Sequence, residues 1–216
     1  MDIMPFYISL RLALVATVIL LVLGIPAALV LAYRNFRGKV LAEILVSLPM
    51  VLPPTVMGFY LLMLFSPRYG LGKAFNDVTG SDLLFSFTGL ALAACIHSAP
   101  YMIQPLKNGM SSLNPDIIEA SYSLGKSRFS TLMNVILPNI KGQVLTGILM
   151  TFLHVTGEFG VVLMIGGSIP GKTKVASIAL YEKVESMNYG EANVYALLLV
   201  AISTVMIAVL YAVRNK

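Results

Sequence analysis

Five long apolar runs constrain this chain more than any other feature. Leu12 to Tyr33, Ile44 to Pro67, Leu84 to Leu106 and Ala192 to Val213 carry no charged residue, and Gln143 to Ile165 carries one, Glu158. About 20 apolar residues in a helix cross a bilayer core about 30 Å thick. The runs are too long for strands, and a membrane barrel would alternate polar and apolar positions instead. The expectation is an all-α membrane protein, a bundle of five transmembrane helices over about 12–33, 41–66, 84–106, 143–165 and 192–213. They form a single domain over 1–216, with a polar loop over 107–141. Charged residues are 12% of the chain, against about a quarter in soluble domains. That excludes a water-soluble globule, a disordered chain and a nucleic-acid-binding module. The first run outlasts the apolar core of a signal peptide, about 7–15 residues, and its flank holds only Asp2 and Arg11. It is expected to stay as a span.

Five spans put the termini on opposite faces. One face receives Arg34, Arg37, Lys39, Lys107, Lys126, Arg128, Lys141, Arg214 and Lys216. The other receives Arg11, Arg68, Lys73, Lys172, Lys174 and Lys183. The face richer in Lys and Arg is expected to be cytoplasmic. The N-terminus is then outside and the C-terminus inside. The 107–141 loop faces the cytoplasm, and the loops near 68–82 and 167–190 face outward.

The cytoplasmic loop holds the densest local signals. Asn114-Pro115-Asp116 reads as a helix start: an N-cap side chain, a proline at the first position, then an acid at the positive end of the dipole. Gly125 can end that helix in a left-handed conformation, and Ser127 can cap a second one that Pro138 interrupts or ends. The small residues Ala120 and Ser121 would let a partner surface approach closely. From these residues alone, an ordinary interfacial loop is an equal reading.

Glu119-Ala120-Ser121, Gly125, Val135 and Leu137-Pro138 resemble the EAA loop of ABC importer permeases of bacteria and archaea. The chain departs from that pattern with Ser121 for Ala and Val135 for Ile. Two further segments are similar to molybdate permeases: Leu48-Pro49-Met50-Val51-Leu52-Pro53-Pro54, and Gly157-Glu158-Phe159-Gly160 followed by Gly166 to Thr173. Sulfate and tungstate permeases carry less close versions. The resemblance implies the type I fold and a cell-membrane subunit for molybdate, with tungstate or sulfate as alternatives. It implies a homodimer with one pore, a separate ABC ATPase subunit and an external molybdate-binding protein. Asp116, Glu119, Ala120, Ser121, Leu124, Gly125, Leu137 and Pro138 would couple the ATPase to the pore. Pro49, Pro53, Pro54, Glu158 and Gly160 are candidates for the pathway or a hinge, and Gly167, Pro170 and Lys172 for contact with the binding protein. A stand-alone channel or carrier is the alternative of another class. It is disfavoured by the coupling pattern and by the lack of acidic relays across several spans.

Gly166-x4-Gly171-Lys172-Thr173 also satisfies the phosphate-loop pattern. That motif needs a strand before it and a helix after it, so that free amides cradle phosphate. Here a membrane span precedes it and Pro170 removes one amide, so nucleotide binding is not expected. Glu158 is the only acid well inside a span, with His154 four residues before it. Nearby hydroxyls, or backbone freed by Gly157 and Gly160, are its expected partners. A lone cysteine, Cys95, and two separated histidines, His97 and His154, have no metal-ligand spacing. No catalytic constellation is present in the sequence, and neither metal, cofactor nor enzymatic activity is expected. The three prolines of the second span predict a kinked or unwound helix, with free carbonyls satisfied by neighbours or water.

Overall fold

Helix is the regular structure throughout the described residues, 2–68 and 70–214 of a computed structural model. Lys216, counted above among the basic residues, lies outside them. The order is α1 (Met4–Tyr33), α2 (Lys39–Val51), α3 (Pro54–Phe65), α4 (Gly70–Thr79), α5 (Phe87–Ser111), α6 (Pro115–Ser123) and α7 (Arg128–Thr131). A π-helical turn (Leu132–Ile136) leads into α8 (Leu137–Asn139), followed by α9 (Lys141–Gly157), α10 (Gly160–Gly166), α11 (Ala176–Glu185) and α12 (Tyr189–Arg214).

Polarity does not tell the inside of α1 from its outside, because every face is apolar. Size does. Its buried positions include Ala13, Ala16, Thr17, Gly24 and Ala28, whereas Leu14, Val18, Val22, Leu23 and Val30 are exposed. Without water to drive apolar surfaces together, small residues let membrane helices pack backbone to backbone, while large ones face lipid. α5 answers with Ala91, Ala93, Ala94 and Cys95, all buried. The core lies between α1, α5, α9, α10 and α3, and includes Leu12, Leu90, Met102 and Val161.

Two of the expected spans are not single helices. The second divides at Leu52 and Pro53, where the helix direction bends by 116°. The fourth breaks at Glu158 and Phe159, and its lower arm α9 turns by 80° from the helix before it. α1 begins at Met4 rather than Leu12, and α5 runs on to Ser111, inside the segment expected as loop. By length and composition α1 and Tyr189–Val209 of α12 can each cross a membrane, and the number reaches four when each of two bent pairs is counted as one span.

The parallel pairing of α1 and α5 defines two ends. At one, Tyr33 donates to the Met110 carbonyl at 2.8 Å, and Lys107 pairs with Glu43 at 2.5 Å. At the other, the Arg11 guanidinium lies 4.4 Å above the Phe87 ring, and the Ala176 amide donates to Ser9 Oγ at 2.8 Å. The 112–140 segment belongs to the first end, and the 166–175 loop and α11 to the second.

Candidate functional site

The 112–140 segment folds into a helical hairpin through its own chemistry. Asn114 Oδ1 accepts the Asp116 amide at 3.0 Å, and Pro115 occupies the first helical position. At the far end the Lys126 amide donates to Ser121 and the Gly125 amide to Tyr122, at 3.2 and 2.9 Å. That pair of bonds is a Schellman closure, and it requires the left-handed φ of +75° at Gly125. Ser127 Oγ then accepts the Ser130 amide and starts α7.

Ser121 does not face open surface. It is buried, and its hydroxyl meets that of Thr131 at 2.9 Å, which ties α6 to α7. Asp116, Glu119, Ala120 and Pro138 are exposed, and Leu137 is half-buried. Leu124 is 79% exposed and Phe129 is 73% exposed. Pro138 does not end the second helix. It lacks an amide, and the helix widens just upstream, where the Leu137 amide reaches back to the Leu132 carbonyl. Asn139 Nδ2 takes up the Val135 carbonyl at 2.7 Å. A cavity of about 780 Å³ separates the end of α1 from this hairpin, lined by Tyr33, Arg34, Glu119, Tyr122 and Arg128 among others.

The two helix breaks meet where Pro53 and Pro54 are exposed and Gly160 is half-buried. A Cβ on Gly160 would stand 2.8 Å from that of Pro54, so the start of α10 rests directly on the start of α3. Pro49 is buried within α2, and Pro53 and Pro54 form the break and the restart. Glu158 is buried at the other break. Its Oε1 accepts the Val161 amide at 3.2 Å, and its carbonyl accepts the Ser177 hydroxyl at 2.6 Å. Its Oε2 lies 2.8 Å from His97 Nδ1 and 3.7 Å from His154 Nε2. His154 is set in turn by Ser98 Oγ, 2.9 Å from its Nδ1, and by Tyr101, stacked at 4.0 Å. The helical spacing of His154 and Glu158 was legible in the sequence. The arrival of His97 from α5 was not, because it depends on how α5 packs.

Gly167, Pro170 and Lys172 lie at the opposite end from the hairpin and are exposed. The amides of Lys172, Thr173 and Lys174 all donate to the Ile169 carbonyl, at 3.1, 2.9 and 3.0 Å. Thr173 Oγ1 accepts the Ile169 amide and donates to the Gly166 carbonyl. Those donors are turned inward, the preceding element is a helix, and α11 starts only at Ala176. The loop is not a phosphate cradle. Lys174 and Ser168 both bond Glu182 of α11. Partial burial would raise the Glu182 carboxyl, but these two bonds and the Lys174 charge outweigh it and hold the group below its ordinary range.

The arrangement of helices is a fold shared with the membrane chains of solved ABC transporters. A bacterial alginate ABC transporter, solved with an alginate pentasaccharide-bound periplasmic protein, superposes with a TM-score of 0.76 at 15% identity, over 96% of this chain and 76% of that one. The MetNI methionine ABC transporter superposes with a TM-score of 0.71 at 14% identity, over 96% and 91%. At that identity the likeness is one of fold. The chain itself belongs to the family of binding-protein-dependent transport system inner membrane components, which it matches over residues 9–215. It is 37% identical to the molybdenum transport system permease protein ModB of Azotobacter vinelandii, over 99% of this chain and 95% of that protein. It is 32% identical to the putative molybdenum transport system permease protein YvgM of Bacillus subtilis (strain 168), over 94% and 89%. The sulfate transport system permease protein CysT of Synechocystis is also 32% identical, over 92% of this chain and 69% of that protein.

Proposed function

We propose that this chain is the membrane subunit of an ATP-driven molybdate importer. Two copies enclose one pore, and each chain crosses the membrane five times with its N-terminus outside. A cytoplasmic ATPase supplies the stroke and an external binding protein delivers the oxyanion. The observation that carries this reading is the preformed α6–α7 hairpin. It is closed by its own caps and by the Ser121–Thr131 hydroxyl pair, yet it leaves Leu124 and Phe129 uncovered. Exposed large apolar side chains on a rigid surface element favour docking into a partner. Asp116, Glu119, Ala120, Gly125, Leu137 and Pro138 shape that element.

Displacement of the hairpin is carried in two directions. It is continuous with α9 through the bend at Ile140, and it follows directly on α5. Both helices lead to Glu158 and to the contact of Gly160 with Pro54. Movement at the surface therefore reaches the place where both broken helices touch, which suits a gate. Gly167, Pro170 and Lys172 face the delivery side. Molybdate is favoured over sulfate by the ModB relative, which has the higher identity and nearly the same length.

The test is reconstitution of the chain with its ATPase and binding protein in proteoliposomes. Molybdate is expected to stimulate ATP hydrolysis and to enter the vesicles. Leu124→Glu is expected to abolish both without unfolding the bundle. Stimulation by sulfate and not by molybdate would transfer the assignment to sulfate. Transport driven by an ion gradient without the ATPase would overturn the reading.

A further inference from the structure

We infer that His97, His154 and Glu158 form a binding site for a divalent transition-metal ion of the zinc type. The three residues come from α5, from α9 and from the break that follows α9. Their candidate ligand atoms all lie within 4.8 Å of one another. Zinc binds imidazole nitrogen and carboxylate oxygen at about 2.0–2.2 Å, so tetrahedral neighbours stand about 3.3 Å apart. The spacings from Glu158 Oε2, 2.8 Å to His97 Nδ1 and 3.7 Å to His154 Nε2, bracket that value.

An ion pair alone leaves this cluster poorly satisfied. His97 Nδ1 is buried and makes no well-formed hydrogen bond, although the Glu158 carboxylate lies 2.8 Å away. His154 Nε2 stands too far from Glu158 for a hydrogen bond. Its other nitrogen is engaged by Ser98, 2.9 Å away. When Nδ1 donates to that hydroxyl, Nε2 keeps its lone pair and points it toward the carboxylate. This is the tautomer that metal-bound histidines adopt, with the second nitrogen held by an outer partner. Tyr101 stacks on the same ring and fixes its plane. A cation between the three atoms would convert opposed lone pairs into ligands. Two imidazoles and one carboxylate favour zinc, cobalt, nickel or copper over magnesium or calcium, which take oxygen donors. The side chains of His97 and Glu158 are only 4% and 6% exposed, against 19% for His154, so entry is from the His154 side. A bound ion would brace α5 against the break in the fourth span.

The test uses the full permease–ATPase complex in detergent, with any histidine tag removed. After incubation with zinc and dialysis, about one zinc per permease chain is expected by elemental analysis, with a raised unfolding temperature. His97→Ala and His154→Ala are expected to lose the retained zinc. Ser98→Ala keeps all three ligands and is expected to bind about 10–100-fold more weakly. Cobalt loading of the unaltered protein supplies a readout that needs no variant, namely the intense visible absorption of a four-coordinate ion. Absence of retained zinc, zinc retained equally by both histidine variants, or only the weak spectrum of hydrated cobalt would each overturn the site. None of these readouts depends on which oxyanion is carried.

Discussion

The two interrupted helices reach the same result by different physics. Between α2 and α3 the break is covalent in origin: Pro53 and Pro54 cannot donate amide hydrogens, and the residue before a proline is driven to extended backbone. Leu52 is extended, at φ −71° and ψ 137°. Between α9 and α10 no proline is present. That break is held partly by the Glu158 carboxylate, which caps the Val161 amide three residues on, and partly from outside, by Ser177 of α11 on the Glu158 carbonyl. The first break travels with its own peptide. The second also takes a bond from α11 and an ion pair from α5, so it is the one that a change of packing can reach.

This contrast is sharpest at the point of contact. Gly160→Leu is expected to be the most damaging change, because even its Cβ would meet Pro54 at 2.8 Å. Overpacking of this kind costs about 1–3 kcal/mol, and both the unfolding midpoint and transport are expected to fall. Glu158→Ala comes next. It leaves the Val161 amide without an acceptor, at a cost of about 1–3 kcal/mol, while Glu158→Gln keeps an acceptor and is expected to recover most of the midpoint. Equal midpoints for the two would mean that the carboxylate does not hold the break.

Pro53→Ala with Pro54→Ala is expected to change stability by less than about 1 kcal/mol, because Leu52, Pro53 and Pro54 hold their shape by backbone restraint and no buried partner is lost. A larger loss than that of Glu158→Ala, in the same denaturation assay, would put the first break under tertiary control as well. The smallest effect belongs to Glu182→Gln, beyond α10. A carboxylate more acidic in the folded state stabilises at neutral pH, and that contribution disappears as pH falls through its folded value. For this partly exposed, solvent-screened group it is below about 1 kcal/mol. The midpoints of the variant and the unaltered protein should therefore differ at pH 7 and converge at acid pH below the ordinary carboxylate range. A gap that persists in acid would remove the ion pair as its cause.

What could be read from the sequence follows the same division. Asn114, Gly125 and Ser127 act on amides within a few residues of themselves, so the hairpin's caps were legible from spacing. The prolines near 53 announced an unwound segment for the same reason. The break at Glu158 was read as continuous helix over 143–165, because an apolar run records lipid and core alike. Its flanking glycines, Gly157 and Gly160, were the available signal. Ser121 was read by its size as a place for a partner to approach. Its burial depends on Thr131, ten residues on, and on the turn that brings them together. His97 is legible only after α5 is packed, since nothing in its neighbours encodes a carboxylate 61 residues away.

The loop after α10 gathers three amides on the single carbonyl of Ile169. A knot of that kind has little freedom left to lose. Whatever macromolecule lands on Pro170 and Lys172 meets a fixed relief, so the encounter carries almost no ordering entropy and can be brief as well as selective. Under the docking proposed for this loop, in which a loaded protein arrives and an emptied one leaves, stiffness favours rapid turnover over long residence.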